Sequence, residues 1–350
     1  MLAPITHILP ITGIRRERVL RVSGKVLVRK GQKVSATDII AEASLTPEHL
    51  LIDIARGLGV PASQADKYIK CVAGDTIAEG DILAGPVGLA RRVVRTPHDG
   101  QVILAGSGQV LIEVSSQPFQ LKAGLPGEVT DLIGDRGAAV ETTGALIQGV
   151  WGNGRIDFGL MSVLAKTPDH ILNSSEIDVS LRGSIALAGY VEDAEVIKAA
   201  EGLPLRGLIL ASMSASLASL VKKSPLAVML TEGFGHRPMN PVAFKLLSTN
   251  ERHEVALNAE AWDRYTGSRP EVVIPLPGSG VVPVLHETDI FAPAQQVRVL
   301  RSPNAGEVGT IVSLKGQALY PTGLRAQSAE IRFESGQTVV IPVTNLEILA

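Results

Sequence analysis

Between Ser184 and Met239, short continuous apolar runs alternate with amphipathic ones. The runs Ser184 to Ala188, Gly207 to Ala211 and Leu226 to Leu230 have strand length, and Asp193 to Glu201 and Ala215 to Lys222 between them carry apolar residues at helical spacing. Uninterrupted apolar strands separated by helices predict a parallel sheet with crossover helices. A helix at Pro241 to Leu247 and a fourth strand at Glu254 to Leu257 extend the pattern into a three-layer α/β domain over residues 161–288. In open parallel sheets, ligands bind outside the carboxyl ends of the strands. At those ends the sequence collects Gly189, Tyr190, Ser212, Ser214, Glu232, Gly233 and His236, the candidate ligand-binding residues. Helix N-termini following the first two turns would favour a small anion such as a nucleotide. Ser212, Ser214 and Asn240 are also placed to cap the helices that follow them, Asn240 with Pro241 at the first helical position.

On either side the period changes from helix to strand. Residues 118–160 read as a small β meander, with runs from Gly127, Ala138 and Ala145 separated by Gly-rich turns. It ends in Gly149-Val-Trp-Gly-Asn-Gly-Arg155, which lacks the Gly-Lys-Ser/Thr of a phosphate loop and reads as a packed turn. In residues 1–117, two segments match at equal spacing: Gly31 aligns with Gly74, Val34 with Ile77, and Asp38-Ile-Ile-Ala41 with Asp81-Ile-Leu-Ala84. A turn at each Gly, an inward aliphatic residue, a second turn at each Asp and a buried strand predict two halves of one small barrel. A helical insertion is expected over 46–70. With Thr96-Pro-His-Asp-Gly-Gln-Val102, the repeat resembles the barrel-sandwich hybrid of the biotinyl/lipoyl group. No Met-Lys-Met-like hairpin joins the halves, so no modified lysine is implied.

Residues 289–350 read as short strands between Gly and Pro turns, a small all-β barrel. Val297-Arg-Val-Leu-Arg301, Gly306 at a sharp turn, Gly309 before the next strand, and the closing Val340-Ile-Pro and Asn345-Leu-Glu-Ile resemble a KOW motif in an SH3-like barrel. That resemblance implies RNA, or the transcription and translation machinery, as partner. The fold class expected is therefore multi-domain α/β plus all-β: a barrel-sandwich-like N-terminal region, a central parallel-sheet α/β domain and a C-terminal KOW-like barrel.

Charge qualifies the nucleic-acid expectation. Arg15 to Lys30 holds seven basic residues against one acid, and Arg15, Arg16 and Arg18, with Arg298, Arg301 and Gly306, are the candidate contacts to nucleic acid or protein. Alternation along Arg16 and Arg18 equally suits the wet side of an edge strand. The whole chain has a formal charge of −2, and Phe291 to Ala350 carries five basic residues against four acids, a poor balance for binding several phosphates. The single cysteine, Cys71, excludes an internal disulfide and a thiolate metal cluster, and suits a reducing, cytoplasmic setting. Pro4 and Pro10 break the N-terminal apolar run, which has no basic n-region, and no apolar run approaches the ~20 residues that span a bilayer. No nucleophile elbow, Cys/His pair or clustered carboxylates appear, so no catalytic residue, cofactor or metal is assigned. Gly233 and Gly235 disfavour a helix between Glu232 and His236, which excludes a zinc-binding helix there. Three functions follow: a non-catalytic adaptor contacting an RNA or transcription/translation-type assembly through the KOW-like module and the Arg15–Lys30 face; a protein or enzyme that responds to a small anion or nucleotide at the strand ends of the α/β domain, where Glu232 and His236 could do acid/base work if both face a cleft; or a structural subunit of an assembly, with no ligand.

Overall fold

The computed structural model describes residues 2–44, 48–114, 118–263, 268–278, 285–286 and 288–350. The chain divides into two compact units: Met1–Val19, Val28–Ile40 and Lys122–Ala350 form the first, and Leu20–Leu27 with Ala41–Leu121 the second. This differs from the expectation of one N-terminal domain over 1–117, because the first strands of the chain pair with distant partners.

The first unit contains the α/β domain. Its strands are β1 (Ile156–Val163), β2 (Ser184–Val191), β3 (Gly207–Met213), β4 (Ala227–Phe234), β5 (Glu254–Asn258) and β6 (Glu271–Pro275), with helices α1 (Ala194–Gly202), α2 (Ala218–Lys223) and α3 (Pro241–Thr249). Strands β1 to β4 lie side by side and parallel, whereas β5 is antiparallel to β1. Alternate residues of each strand enter different cores, as strand geometry requires. Ala186, Ala188, Leu208 and Leu210 pack with Val196, Ile197 and Val221 from α1 and α2. Ile185, Leu187, Ile209 and Met229 pack with Ala243 and Leu247 of α3. The result is mixed α/β with helices on both faces.

The expected meander is not separate from this sheet. Strand Gly137–Gln148 pairs with β6 on one side and with Ile8–Val19 on the other, so one eleven-stranded sheet carries both. Gly149, before the short strand Trp151–Gly152, and Gly152 within it are tightly packed: a Cβ there would lie 2.7 Å from the Leu230 carbonyl oxygen and 2.2 Å from that of Ala259.

The C-terminal residues form an all-β sheet from β7 (Gln296–Val299), β8 (Val308–Leu319), β9 (Arg325–Phe333), β10 (Thr338–Pro342) and β11 (Leu346–Leu349). Strand Leu2–Thr6 joins it parallel to β11, a pairing across the length of the chain that local pattern cannot show. Gly306 has φ +88° and donates its N–H to Val299 O at 2.7 Å, closing the eight-residue loop 300–307 between β7 and β8.

The second unit has its own core, with Ile54, Leu58, Val102, Val110 and Ile112 fully or almost fully buried. In place of a wholly helical insertion it forms a strand, Glu48–Asp53, paired with Gln109–Val114, then two short helices at Ile54–Leu58 and Ala62–Ala65. Residues 46 and 47 of that expectation lie outside the described residues.

The internal repeat is real locally and split globally. Gly31 donates its N–H to Val129 and Gly74 to Val102, both at 2.7 Å, and each valine N–H returns to the residue after the glycine at 2.8 Å. The Asp38 carboxylate accepts from Ser35 N–H at 2.8 Å and that of Asp81 from Ala78 N–H at 2.9 Å. Yet the first copy pairs with Gly127–Ile133 in the large sheet, and the second with Gly100–Gly106 in the second unit. They are not two halves of one barrel, because each motif closes on its own partner strand.

Candidate functional site

The carboxyl ends of β2, β3 and β4 lie in register, with Tyr190 opposite Ser212 and Ser212 opposite Gly233. The seven candidate residues are thus gathered at one edge, but the chain itself occupies most of it. A Cβ on Gly189 would sit 2.0 Å from the His170 carbonyl oxygen, because residues 170–172 run along β2. Tyr190 N–H donates to His170 O at 2.7 Å, and Leu172 N–H to Tyr190 O at 2.9 Å. The His170 ring is held 3.0 Å from Glu176. Tyr190 is buried beneath the exposed His236 ring, with 4.6 Å between centroids.

Neither serine caps a helix through its side chain. Ser212 Oγ donates to Arg237 O at 2.7 Å and accepts from Arg237 N–H at 3.0 Å, folding residues 235–240 back over the strand ends. Ser214 instead meets Ser216 Oγ at 2.9 Å. Asn240 does cap α3, its Oδ1 accepting from Val242 and Ala243 N–H at 2.8 and 3.4 Å. Gly233 takes φ +95°, a left-handed conformation at the register shift by which β4 stays paired with Ser212 and Met213.

Glu232 meets a residue that the sequence placed in another module. Arg298 Nη1 donates to Glu232 Oε2 at 2.5 Å and to Thr231 O at 3.2 Å, while Arg298 Nε donates to Glu347 Oε1 at 2.5 Å. Arg298 Nη2 is also 2.5 Å from Glu347 Oε1, in ionic contact but off the hydrogen-bonding angle. All three side chains are 4–5% exposed. Burial alone would pull the guanidinium down from its ordinary value, but attraction to Glu232 and Glu347, with hydrogen bonds to both, raises it. The other oxygens are also engaged: Glu232 Oε1 accepts from Asn240 N–H at 3.1 Å, and Glu347 Oε2 from Thr6 Oγ1 at 3.1 Å. This triad fixes the C-terminal sheet against the end of β4. Both carboxylate oxygens of Glu232 are engaged in these contacts. The sequence flagged Glu232 and Arg298 separately; no periodicity links them.

Three of the other basic candidates, Arg15, Arg16 and Arg18, are likewise matched by acids. Arg15 Nη1 is 2.8 Å from Glu141, and its Nη2 is 3.3 Å from Asp131, which Lys30 also contacts at 3.1 Å. Arg16 grips Glu271 through Nε and Nη2 at 3.0 and 2.7 Å. Arg18, itself buried, grips Glu260 through both terminal nitrogens at 2.5 and 2.6 Å. Burial would raise the Glu260 carboxyl above its ordinary value, but the Arg18 hydrogen bonds and charge hold it below. Arg301 is exposed on the turn after β7 and has no ion pair among the described residues.

A cleft of about 460 Å³ lies beside this edge, within the first unit. The turn Pro168–Asp169 and the turn Pro238–Pro241 form one side, and residues 306–308 and 333–335 of the C-terminal sheet form the other. Sequence reasoning reached only Gly306 of this lining, since the cleft exists through the docking of two modules. Among the described residues no cluster of three or more His, Cys, Asp or Glu could hold a metal, and no helix is long and apolar enough to cross a membrane.

No protein-family model and no curated protein matches the chain. Among solved structures it is similar to one described as S-adenosylmethionine: 2-dimethylmenaquinone methyltransferase from Geobacillus kaustophilus HTA426, at 12% identity and a TM-score of 0.27. The alignment covers 37% of this chain and 88% of that one. A likeness at that score carries no argument about this protein's fold or chemistry.

Proposed function

We propose that the protein binds a small ligand in the cleft between the strand-end loops of the α/β domain and the C-terminal β-sheet. The observation that carries this reading is the cleft itself. Its volume of about 460 Å³ falls in the range of small-molecule sites, and it lies at the carboxyl ends of parallel strands, where such sites form. Glu232, at the neighbouring strand end, is tied to Arg298 at 2.5 Å and faces that contact, so the reading rests on the cleft and not on Glu232. The nucleic-acid role implied by a KOW-like module is the weaker reading. Arg15, Arg16, Arg18 and Arg298 each contact a carboxylate, so they have little charge left for phosphates.

A thermal-shift screen of charge-diverse small molecules tests the cleft. At least one compound should raise the melting temperature of the wild type and lose that effect in Ser335→Trp, which places a large ring at the rim. If every stabilising compound acts equally on Ser335→Trp, the cleft is not the site.

A protein-docking role for the C-terminal sheet is favoured second by one observation. Leu314, Leu319 and Leu324 are 48%, 67% and 69% exposed along the β8–β9 hairpin, an apolar stripe that water does not favour. Its test is whether Leu319→Glu with Leu324→Glu abolishes a co-purifying partner.

A further inference from the structure

The second unit carries a hairpin that is anchored at its base and bare at its tip. Strands Ile82–Val87 and Arg92–Arg95 form a two-stranded ribbon of their own, joined by the turn Gly88-Leu89-Ala90-Arg91. At the base, Leu83 and Ala84 are fully buried in the core of the unit, and a Cβ on Gly57 of the helix Ile54–Leu58 would lie 2.5 Å from Val94 Cγ2. At the tip, Leu89 is 108% exposed, more than any other large apolar residue described, and Pro86, Gly88 and Ala90 around it are exposed too. One exposed leucine is common on protein surfaces; the charge beside this one sets it apart.

Residues 82–95 hold Arg91, Arg92 and Arg95 and no acid, in a chain whose formal charge is −2. All three arginines are exposed, and none has an ion pair among the described residues. Arg95 stays at the base, where its Nη1 donates to Gly80 O at 2.6 Å; Arg91 and Arg92 stand at the tip. The acids flanking the base are turned to the backbone, Asp81 accepting from Ala78 N–H at 2.9 Å and Asp99 from Glu79 N–H at 2.6 Å. The ribbon between them and the tip is about 20 Å long, more than twice the Debye length of about 8 Å at physiological salt. The charge of the tip is therefore not cancelled from below. Arg91 also takes φ +48°, a left-handed conformation costly to any residue but glycine, so the turn presents a cation where glycine would be unstrained.

The interface of an anionic bilayer matches both halves of this tip, offering phosphates to the guanidinium groups and the acyl boundary to the leucine. A nucleic acid would use the arginines and leave Leu89 in water, and the tip has no aromatic side chain on which a base could stack. We infer that the hairpin tip Gly88–Arg92 is a peripheral contact to anionic membrane, with Leu89 dipping below the headgroups and Arg91 and Arg92 on their phosphates. One apolar anchor and two cations make that contact weak and reversible.

Co-sedimentation of the full chain with vesicles tests this, using phosphatidylcholine alone and phosphatidylcholine with phosphatidylserine at about 3:1. The wild type should bind the serine-lipid vesicles at least about tenfold more strongly than the neutral ones, and less as salt rises from about 50 to about 500 mM. Leu89→Ser should lose about tenfold on the anionic vesicles, and Arg91→Gln with Arg92→Gln about thirtyfold. All three side chains are exposed, so folding is kept and an unchanged melting temperature verifies it. In Leu89→Trp the emission should move to the blue on the anionic vesicles, a shift that a leucine-binding apolar interface produces and a phosphate contact does not. If the wild type binds neither vesicle, binds both equally, or binds the anionic one unchanged in both variants, the inference falls. Loss in the arginine variant alone, with the same loss on single-stranded RNA, overturns it in favour of a nucleic-acid contact. Loss in Leu89→Ser alone overturns it in favour of an apolar protein contact.

Discussion

Replacing Arg298 with alanine isolates what holds the C-terminal sheet to the α/β domain. The substitution leaves Glu232 and Glu347, each 4–5% exposed, as two carboxylates without their shared cation. Breaking a buried ion pair from one side costs about 3–5 kcal/mol. Taking about 4 kcal/mol from the middle of that range and a urea m-value of about 3 kcal/mol/M, the midpoint should shift by about 1.3 M. Urea unfolding followed by tryptophan fluorescence is suited to the measurement, because Trp151 packs edge-on against Phe234 at 5.5 Å, two residues beyond Glu232. Combining Arg298→Met with Glu232→Gln and Glu347→Gln keeps the acceptors for Asn240 and Thr6 and should recover much of the loss. A loss under about 1 kcal/mol would refute the argument, since it would mean that the carboxylates are hydrated rather than buried.

Three further outcomes follow from other contacts. Arg18 holds the Glu260 carboxyl below its ordinary value of 4.5, so the pair stabilises the fold fully above that value and loses its contribution as pH falls through the depressed one; the stability gap between wild type and Glu260→Gln should be steady near neutrality and close in acid, and a gap that widens in acid would contradict the sign. Gly189→Ala places a Cβ 2.0 Å from His170 O, so residues 170–172 must leave β2, at a cost of about 1–3 kcal/mol; an unchanged melting temperature would show that this segment is not fixed there. Arg15, Arg16 and Arg18 changed together to Glu set three new acids against Glu141, Glu271 and Glu260, and the expected result is a lower melting temperature. Salt-sensitive RNA binding by the wild type at ~100 mM salt, lost in a variant that still folds, would restore the nucleic-acid reading.

What the sequence discloses here is what neighbouring residues decide. The alternation from Ser184 to Leu257 gives four strands and three helices within a few residues of their observed ends, because burial on both faces writes itself as continuous apolar runs. Asn240 with Pro241 announces its cap, since capping is settled within one turn. Where the outcome depends on a distant partner, the same residues mislead. Arg15, Arg16 and Arg18 look like a basic face because their carboxylate partners lie more than a hundred residues away, at Glu141, Glu271 and Glu260. Ser212 looks like a cap until residues 235–240 fold back to claim its hydroxyl. Glu232 and Arg298 each look functional because charge in an apolar setting has a use, and the use here is to satisfy one another. The cleft is the extreme case. Its lining comes from residues 168–169, 238–241, 306–308 and 333–335, which share no element and no pattern, so the cleft arises only once the C-terminal sheet is docked. Arg298, bonded to Glu232 on one side and Glu347 on the other, holds that docking, so a loss of the sheet's contact in Arg298→Ala should remove the cleft with it.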